Sequence, residues 1–585
     1  LILLPFVVTA LHLIFGVGDA YLPTQDHAVT EMHVRDIGHH PVLIGLYSRA
    51  DWSHPGPMLF YVLAPFYWLS GHSSVGLDLG ALAVNAASIT ASALLARRLG
   101  GTPALLCTLV ALALLMRTLG PEFLADPWNT FIPVLPYLLL LFLTWSLLSG
   151  DTRALAPAAV VATFTAQTHV GFVLLALPLL AVGAAALVIP VLRSTDEARE
   201  RRPAVLKATS VSAGVLTLLW LPPILDVVVS APSNLRQMIE WFQRADQGTH
   251  TLAEGWRVMA AQFALRPEWL AGKRPPSFMT GEPPVIAAAP LPVLLLVVLC
   301  AAVALWRRPV AGARPLVVTL GLATALGIVA IARTVGPAYD YRLRWTWMAP
   351  TLAFVLVLWA VWLLVTRWRP WTEARLLLPA AMAVLIVLAV VNTTAAARAG
   401  TPDAADSDVM TALAPPVLDA FTDDPDDLGL GGDGQVVVDR AAMSIGSLQF
   451  SRGLVLQLDR HGIDARVPAS RIRFLPESRN QTDGPVRARL VVATDEQIDD
   501  LLDDPDLRLL SIWSPVPLAE RQRLQRRLDR LSHDVLAHRL TRVAFLGQAA
   551  DINARLHSHQ RVVVYAAAVF LDDSVDSVDS VDSPG

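Results

Sequence analysis

Cysteine and lysine are almost missing from this chain, and each shortage excludes something. Only Cys107 and Cys300 occur in 585 residues, both inside apolar runs, so neither a disulfide framework nor a CxxC metal site can be built. Lys207 and Lys273 are the only lysines, and Asp and Glu outnumber Lys and Arg by 50 to 46, which leaves no basic footprint for nucleic acid. Arginine in place of lysine, with abundant Ala, Val and Asp, reads as a GC-rich bacterial genome. Charged residues make up only 16% of the chain, short of what the surface of a soluble protein requires. There is no P-loop, no GxGxxG turn entering a helix and no GxSxG elbow, so nucleotide hydrolysis, a nucleotide-sugar donor and serine hydrolase chemistry have no support.

What the chain has in excess is apolar length. Hydrophobic residues make up 54% and the mean hydropathy is +0.49, the balance of a multi-pass integral protein of the cell membrane. A hydrocarbon core ~30 Å thick takes roughly 20 apolar residues per helix. Runs at 1 to 17, 75 to 96, 102 to 119, 128 to 148, 154 to 168, 170 to 192, 205 to 229, 286 to 306, 316 to 333, 347 to 366 and 376 to 396 predict about eleven spans. The first run starts at Leu1 without Met or a basic leader, as a truncated N-terminus would. No A-x-A cleavage site follows, so a retained helix is expected rather than a signal peptide.

Arginine clusters fall in alternate connections, at 96 to 101, 149 to 154, 193 to 202, 306 to 315 and 366 to 375. The positive-inside rule puts these in the cytoplasm. It places 18 to 74, 120 to 127, 167 to 169, 230 to 285, 334 to 346 and everything beyond about 397 outside. The stretch GPMLFYVLAPFYWLS at 56 to 70 is too short to span and would invert every later loop if it did. An interfacial or re-entrant helix is expected there, with Phe60, Tyr61, Phe66, Tyr67 and Trp68 as its aromatic surface.

Polarity rises sharply near 397. GQVVVD (434 to 439) reads as a strand, the stretch to Gly462 as a helix and IDARV as a second strand, a β-α-β unit. VRARLVVATD, EQIDDLLDD and RLLSIW repeat the alternation, and LAERQRLQRRLDRLSHDVLAHRL is a long charged helix. The expected architecture is mainly α: a polytopic transmembrane helical bundle over 1 to 396, then an extracytoplasmic α/β domain over 397 to 571 that folds alone. VVVYAAAVFL (562 to 571) is the segment hardest to place in that domain. The repeat DDSVDSVDSVDSPG over 572 to 585 has too little apolar content to pack.

The outer segment TQDHAVTEMHVRDIG, 24 to 38, gathers Asp26, Glu31 and Asp36 with His27, His33 and Arg35. One reading is structural: Asp26 N-caps a helix, Glu31 and Arg35 form an i,i+4 pair, and Asp36, near Gly38, is solvated or capping. His27 and His33 can also be paired with Asp26 and Glu31 as metal ligands, although the spacing is not HExxH, so a divalent metal stays open. Gln167 and His169 sit in a tight turn between two apolar runs, where polar groups must find partners in the bundle or in a wet cavity.

Several of these features together resemble the GT-C superfamily. They are a short first helix, a large outer loop with acids near its start, YSRADWSHPGPMLFYVLAPFYWLSG at 47 to 71, and a many-spanning body followed by a periplasmic domain. The GT-C proteins are integral-membrane glycosyltransferases that use polyprenyl-phosphate-linked sugars, among them protein mannosyltransferases and aminoarabinose transferases. The resemblance covers 1 to 396 in layout and is specific over 19 to 70, with weaker echoes in FTAQTHVGF (164 to 172) and WLPPILD (220 to 226). QDHAVTEMHVRDIG with HPGP looks most like actinobacterial membrane proteins of this type.

The resemblance implies inverting transfer of a sugar from a polyprenyl-phosphate donor to an extracytoplasmic acceptor, a cell-envelope glycan, lipid or protein. It carries the family's base role to Asp26, with Glu31 as the companion acid. Asp26 is followed by His27 where many members have Glu, and His54-Pro55-Gly56-Pro57 stands where they have His-Pro-Pro. A leaving lipid phosphate needs cationic partners, for which a guanidinium fork is suited. Arg35, Arg49, His54, Arg117, Arg342 and Arg344, with Gln167 and His169, are the expected donor-binding residues. The competing reading of each outer arginine is snorkelling to lipid headgroups, and of Tyr339, Tyr341, Trp345 and Trp347 an interfacial belt. A transporter or lipid flippase would instead show paired repeats and ionisable groups deep in its spans. A non-catalytic scaffold would leave the first-loop acids dispensable.

Overall fold

A computed structural model describes residues 1–48, 50–193, 195–244, 248–272, 292–307, 310–368, 374–423, 430–441, 445–468, 474–494, 496–501, 504–516, 518–536 and 561–567. The chain divides into two compact units, Leu1–Asp19 with His33–Pro402, and Ala20–Met32 with Asp403–Gly585. The expected tail at 572 to 585 lies outside the described residues.

In the first unit each of the eleven apolar runs contains a helix. Six helices among the described residues are long and apolar enough to cross a membrane, or seven if the broken pair Leu4–Ala20 and Gln25–Asp36 counts as one. The difference from eleven has simple causes. Two runs are joined in the 45-residue helix Val75–Leu119, which breaks at Gly101, where φ is 71°. That break falls in the connection expected at 96 to 101, between the two runs. Three more are too short: Val134–Leu148 has 15 residues, Leu155–Thr168 has 14 and Val293–Trp306 has 14.

Hydrogen bonds sort the connecting loops into two groups. Arg98 pairs with Asp151 at 2.8 Å, Arg201 donates to the Gly150 carbonyl at 3.2 Å, and Trp145 Nε1 donates to the Gly312 carbonyl at 2.7 Å. Four of the five arginine-rich connections thus meet at one end of the helices. At the other end the Ser53 N–H donates to Asn234 at 2.7 Å, Thr118 donates to the Trp269 carbonyl at 2.8 Å and the Gly336 N–H donates to the Gly248 carbonyl at 3.3 Å. These loops are the set expected outside.

The segment after His54 is a helix, Met58–Leu69, but its aromatic face is not what the sequence suggests. Phe60 and Tyr67 are fully buried in the bundle, while Tyr61 and Trp68 are exposed. A helix of this composition has apolar residues all round, so packing against Val75–Leu119 claims one side of it.

The second unit holds a five-stranded sheet, β1 (Gln435–Arg440), β2 (Ala465–Arg466), β3 (Val486–Thr494), β4 (Leu507–Trp513) and β5 (Val562–Ala567), in the order β2-β1-β3-β5-β4. β1 pairs with β2 and β3 in parallel, and helix Ile445–Arg460 makes the crossover. Most of β1 is buried, as a central parallel strand must be. VVVYAA, hard to place from sequence, is β5, inserted antiparallel between β3 and β4. Val563 and Tyr565 there pack with Ala493 and Ile498.

Val563 is fully buried and Leu509 on β4 is 49% exposed. Val563→Asp should destabilise the second unit by more than about 4 kcal/mol, because a carboxylate is left in an apolar layer. Leu509→Asp should be tolerated, and limited proteolysis of the two variants checks the contrast.

Candidate functional site

At the bundle end where the loops expected outside meet, the chain reverses on the way to His54. The His54 N–H donates to the Leu46 carbonyl at 2.8 Å and its carbonyl accepts from Gly45 at 3.0 Å. Two residues on, the backbone of Gly56 runs against Gln167. A Cβ at 56 would lie 2.4 Å from Gln167 Oε1, so the glycine in His-Pro-Gly-Pro has a steric reason. Gln167 is fully buried; its Nε2 donates to the Leu219 carbonyl at 2.7 Å, and its Oε1 has no hydrogen-bond partner among the described residues.

The His54 and His169 rings are in contact, tilted by 32° with their centroids 4.5 Å apart. The Val170 N–H donates to His54 Nδ1 at 3.2 Å and the Gly171 N–H donates to His169 Nδ1 at 3.1 Å. Each neutral ring therefore carries its proton on Nε2 and presents it as a donor. Burial first, and then the Arg342 guanidinium together with the repulsion that a second proton on His54 would add, hold the His169 pKa well below the usual histidine value, so His169 is neutral. Trp128 and Tyr341 stack nearby in sequence to Arg342, with ring centroids 5.4 Å apart.

The remaining expected donor-binding residues of this unit have structural partners. Arg117 donates to the Leu270 carbonyl at 3.0 Å, closing the short helix Glu268–Ala271. Arg344 is buried, ion-paired to Asp340 and lying over the Trp347 ring at 4.4 Å. Arg35 donates to the Tyr67 hydroxyl at 3.1 Å, and the His33 ring stacks on Phe60 at 4.4 Å. Asp36 is 3% exposed, which removes the solvated half of the expectation that it is solvated or capping. Arg49 lies outside the described residues.

Asp26 and Glu31 belong to the second unit. Their helix runs Gln25–Asp36, so Asp26 sits in its first turn and not at the N-cap, where its charge still suits the helix dipole. Arg452 Nη1 donates to Asp26 Oδ1 at 3.0 Å. Glu31 is fully buried and is gripped by Arg460, whose Nε donates to Oε1 at 2.9 Å and whose Nη2 donates to Oε1 at 2.6 Å and Oε2 at 2.8 Å. Both arginines come from helix Ile445–Arg460. Nothing local in the sequence signals them, since 426 and 429 positions separate the partners. Asp403 adds a third tie, accepting from the Tyr21 hydroxyl and lying 3.5 Å from His27 Nδ1. Among the described residues no group of three His, Cys, Asp or Glu is placed to hold a metal ion.

No protein-family model matches the chain, and no curated protein matches it. Solved structures that resemble it include ArnT from Cupriavidus metallidurans bound to undecaprenyl phosphate, at 12% identity and a TM-score of 0.49. The same protein in the apo state gives 12% and 0.48. Each pairing covers 86% of this chain and 95% of that one. At these scores the likeness carries no conclusion about function, and it lends no support to the actinobacterial resemblance of the first loop.

Asp406 neighbours this cluster, accepting from Gln25 Nε2 at 2.7 Å. Burial pushes its carboxyl pKa up, and the Asp403 charge adds to the rise against the hydrogen bonds from Gln25 and Gln449. A raised folded value gives stability that is full below the unfolded value and lost as pH rises through the folded one. Asp406→Asn should therefore raise the melting temperature at pH 7 to 8 and lose that advantage near pH 3, as differential scanning of the full chain reads directly.

Proposed function

We propose that the protein is a membrane glycosyltransferase that moves a sugar from a polyprenyl-phosphate donor to an extracytoplasmic acceptor, with Asp26 as the general base. The observation that carries this reading is exposure: the Asp26 side chain is 24% exposed, whereas Glu31 and Asp36 are 0% and 3% exposed. Of the three acids in the segment that resembles GT-C enzymes, it is the one an acceptor hydroxyl can reach. A many-helix apolar body suits a donor that lives in the bilayer.

In the reaction the acceptor oxygen attacks the anomeric carbon from the face opposite the phosphate. The bond from that carbon to the phosphate oxygen breaks, polyprenyl phosphate departs with the electron pair, and the hydroxyl proton passes to Asp26. One displacement inverts the anomeric centre. Within the first unit, Arg342 and the Nε2–H groups of His54 and His169 are donors of the kind that suits a lipid phosphate. Glu31, with both oxygens held by Arg460, anchors the segment. In this reading the C-terminal domain and the loops expected outside face the extracytoplasmic side.

The test is transfer by purified full-length protein from a panel of polyprenyl-phosphate sugars, led by mannose and aminoarabinose, the donors of the resembled enzymes. Asp26→Asn should lower transfer by on the order of 10²-fold, the scale of a lost general base. Asp26→Glu, which keeps a carboxylate, should retain more. Near-full activity in Asp26→Asn would remove Asp26 from the chemistry. Sidedness is read separately with Cys107 and Cys300 replaced by serine: a cysteine at Asp196 should be shielded from an impermeant thiol reagent in intact cells, and one at Asp483 should label.

A further inference from the structure

We propose that the C-terminal domain is a working part of the catalytic apparatus, with Arg452 as a positioning residue that orients the Asp26 carboxylate and Arg460 as the anchor that holds its helix through Glu31. This rests on Asp26 being the base. The two arginines stand eight residues apart on helix Ile445–Arg460, about 12 Å along its axis at ~1.5 Å per residue. They engage two acids of one short segment in the same unit.

The environment of each pair differs in a way that assigns separate tasks. Glu31 is buried to the last atom, and Arg460 meets it with three nitrogen–oxygen contacts of 2.9 Å or less. Breaking that pair would strand a charge away from water, so it fixes where the segment lies. Arg452 is itself only 5% exposed, its guanidinium 5.3 Å from the centre of the Phe474 ring, yet the carboxylate it holds stays open at 24%. A guanidinium packed in this way has given up its rotamer freedom already, and it can fix a neighbour at little further cost.

A base on an outer helix otherwise samples several side-chain rotamers. Proton transfer requires the carboxylate within hydrogen-bond reach of the attacking hydroxyl, and a misplacement of about 1 Å costs on the order of 10²-fold in rate. Arg452 supplies that restraint from a domain joined to the segment by more than 400 intervening residues.

The experiment compares wild type, D26N, R452Q, R452K and the double variant D26N/R452Q, all full-length, with the donor that supports wild-type transfer. R452Q should lower kcat by roughly 10- to 100-fold with KM for donor and acceptor within about twofold, because orientation acts in the transition state. The double variant should be no slower than D26N alone, since a restraint has no value once the base is gone. Full activity in R452Q beside an inactive D26N overturns the positioning role and leaves the base standing. Activity in D26N overturns both. Losses that multiply in the double variant make Arg452 a structural residue and overturn the proposal. Should R452Q fail to fold, R452K decides it: a kcat reduced about tenfold at an unchanged melting temperature supports the role of the planar fork, and wild-type kcat overturns it.

Discussion

A polar group without a partner in an apolar medium costs several kcal/mol, and the membrane unit is arranged around avoiding that. Hydroxyls within helices turn back on their own backbone, as Thr144 does to the Leu140 carbonyl and Thr351 to the Trp347 carbonyl, each at 2.8 Å. Amides bridge elements instead. Asn85 reaches the Leu124 carbonyl at 2.9 Å and Asn392 the Ala113 carbonyl at 3.0 Å. Polar side chains at helix ends satisfy the carbonyls and N–H groups of neighbouring loops, which is why the two sets of loops gather where they do. The candidate donor site at His54 and His169 is a product of the same pressure, because both imidazoles accept backbone N–H groups and turn their remaining donors elsewhere.

The second unit meets the constraint with charge rather than with amides. Buried Glu31 would not tolerate apolar surroundings alone, and the forked contact from Arg460 offsets its desolvation only because the geometry is good. Such a pair adds little net stability compared with packed hydrocarbon, but it is intolerant of displacement. It gives the sheet domain a fixed register on a short segment from the far end of the chain, something the apolar face of a helix with few apolar residues does not supply.

Much of this was legible in the residues. Each of the eleven apolar runs holds a helix, and arginine spacing sorted the loops, because both depend on composition averaged over twenty residues. The strands β1 and β3 and helix Ile445–Arg460 were equally plain, since their periodicities are local. What was not legible depends on distance. The break at Gly101 falls in the connection expected at 96 to 101, but helix length relative to a membrane was overestimated elsewhere, because a run of apolar residues does not show where Val134–Leu148 stops short. β5 was opaque because a central antiparallel strand, covered on both faces, has no alternation to detect. Arg117 and Arg344, read as donor-binding residues, bond a carbonyl and an aspartate within their own unit, and each has the type and place a phosphate ligand would have.

The three acids of the first outer segment show most clearly where composition stops and environment begins. Read along the chain, Asp26, Glu31 and Asp36 are similar groups on a single helix. In the structure one is open, one is closed over by a guanidinium fork and one is buried. A carboxylate with both oxygens occupied in a dry setting is a strut, whatever its intrinsic basicity, because accepting a proton would break the contacts that justify its burial. A carboxylate that an arginine holds while about a quarter of its side chain stays in solvent is open to a visitor. Exposure and the identity of the partner therefore separate the proposed base from the anchor, and for both residues an arginine partner comes from the same helix of the C-terminal domain.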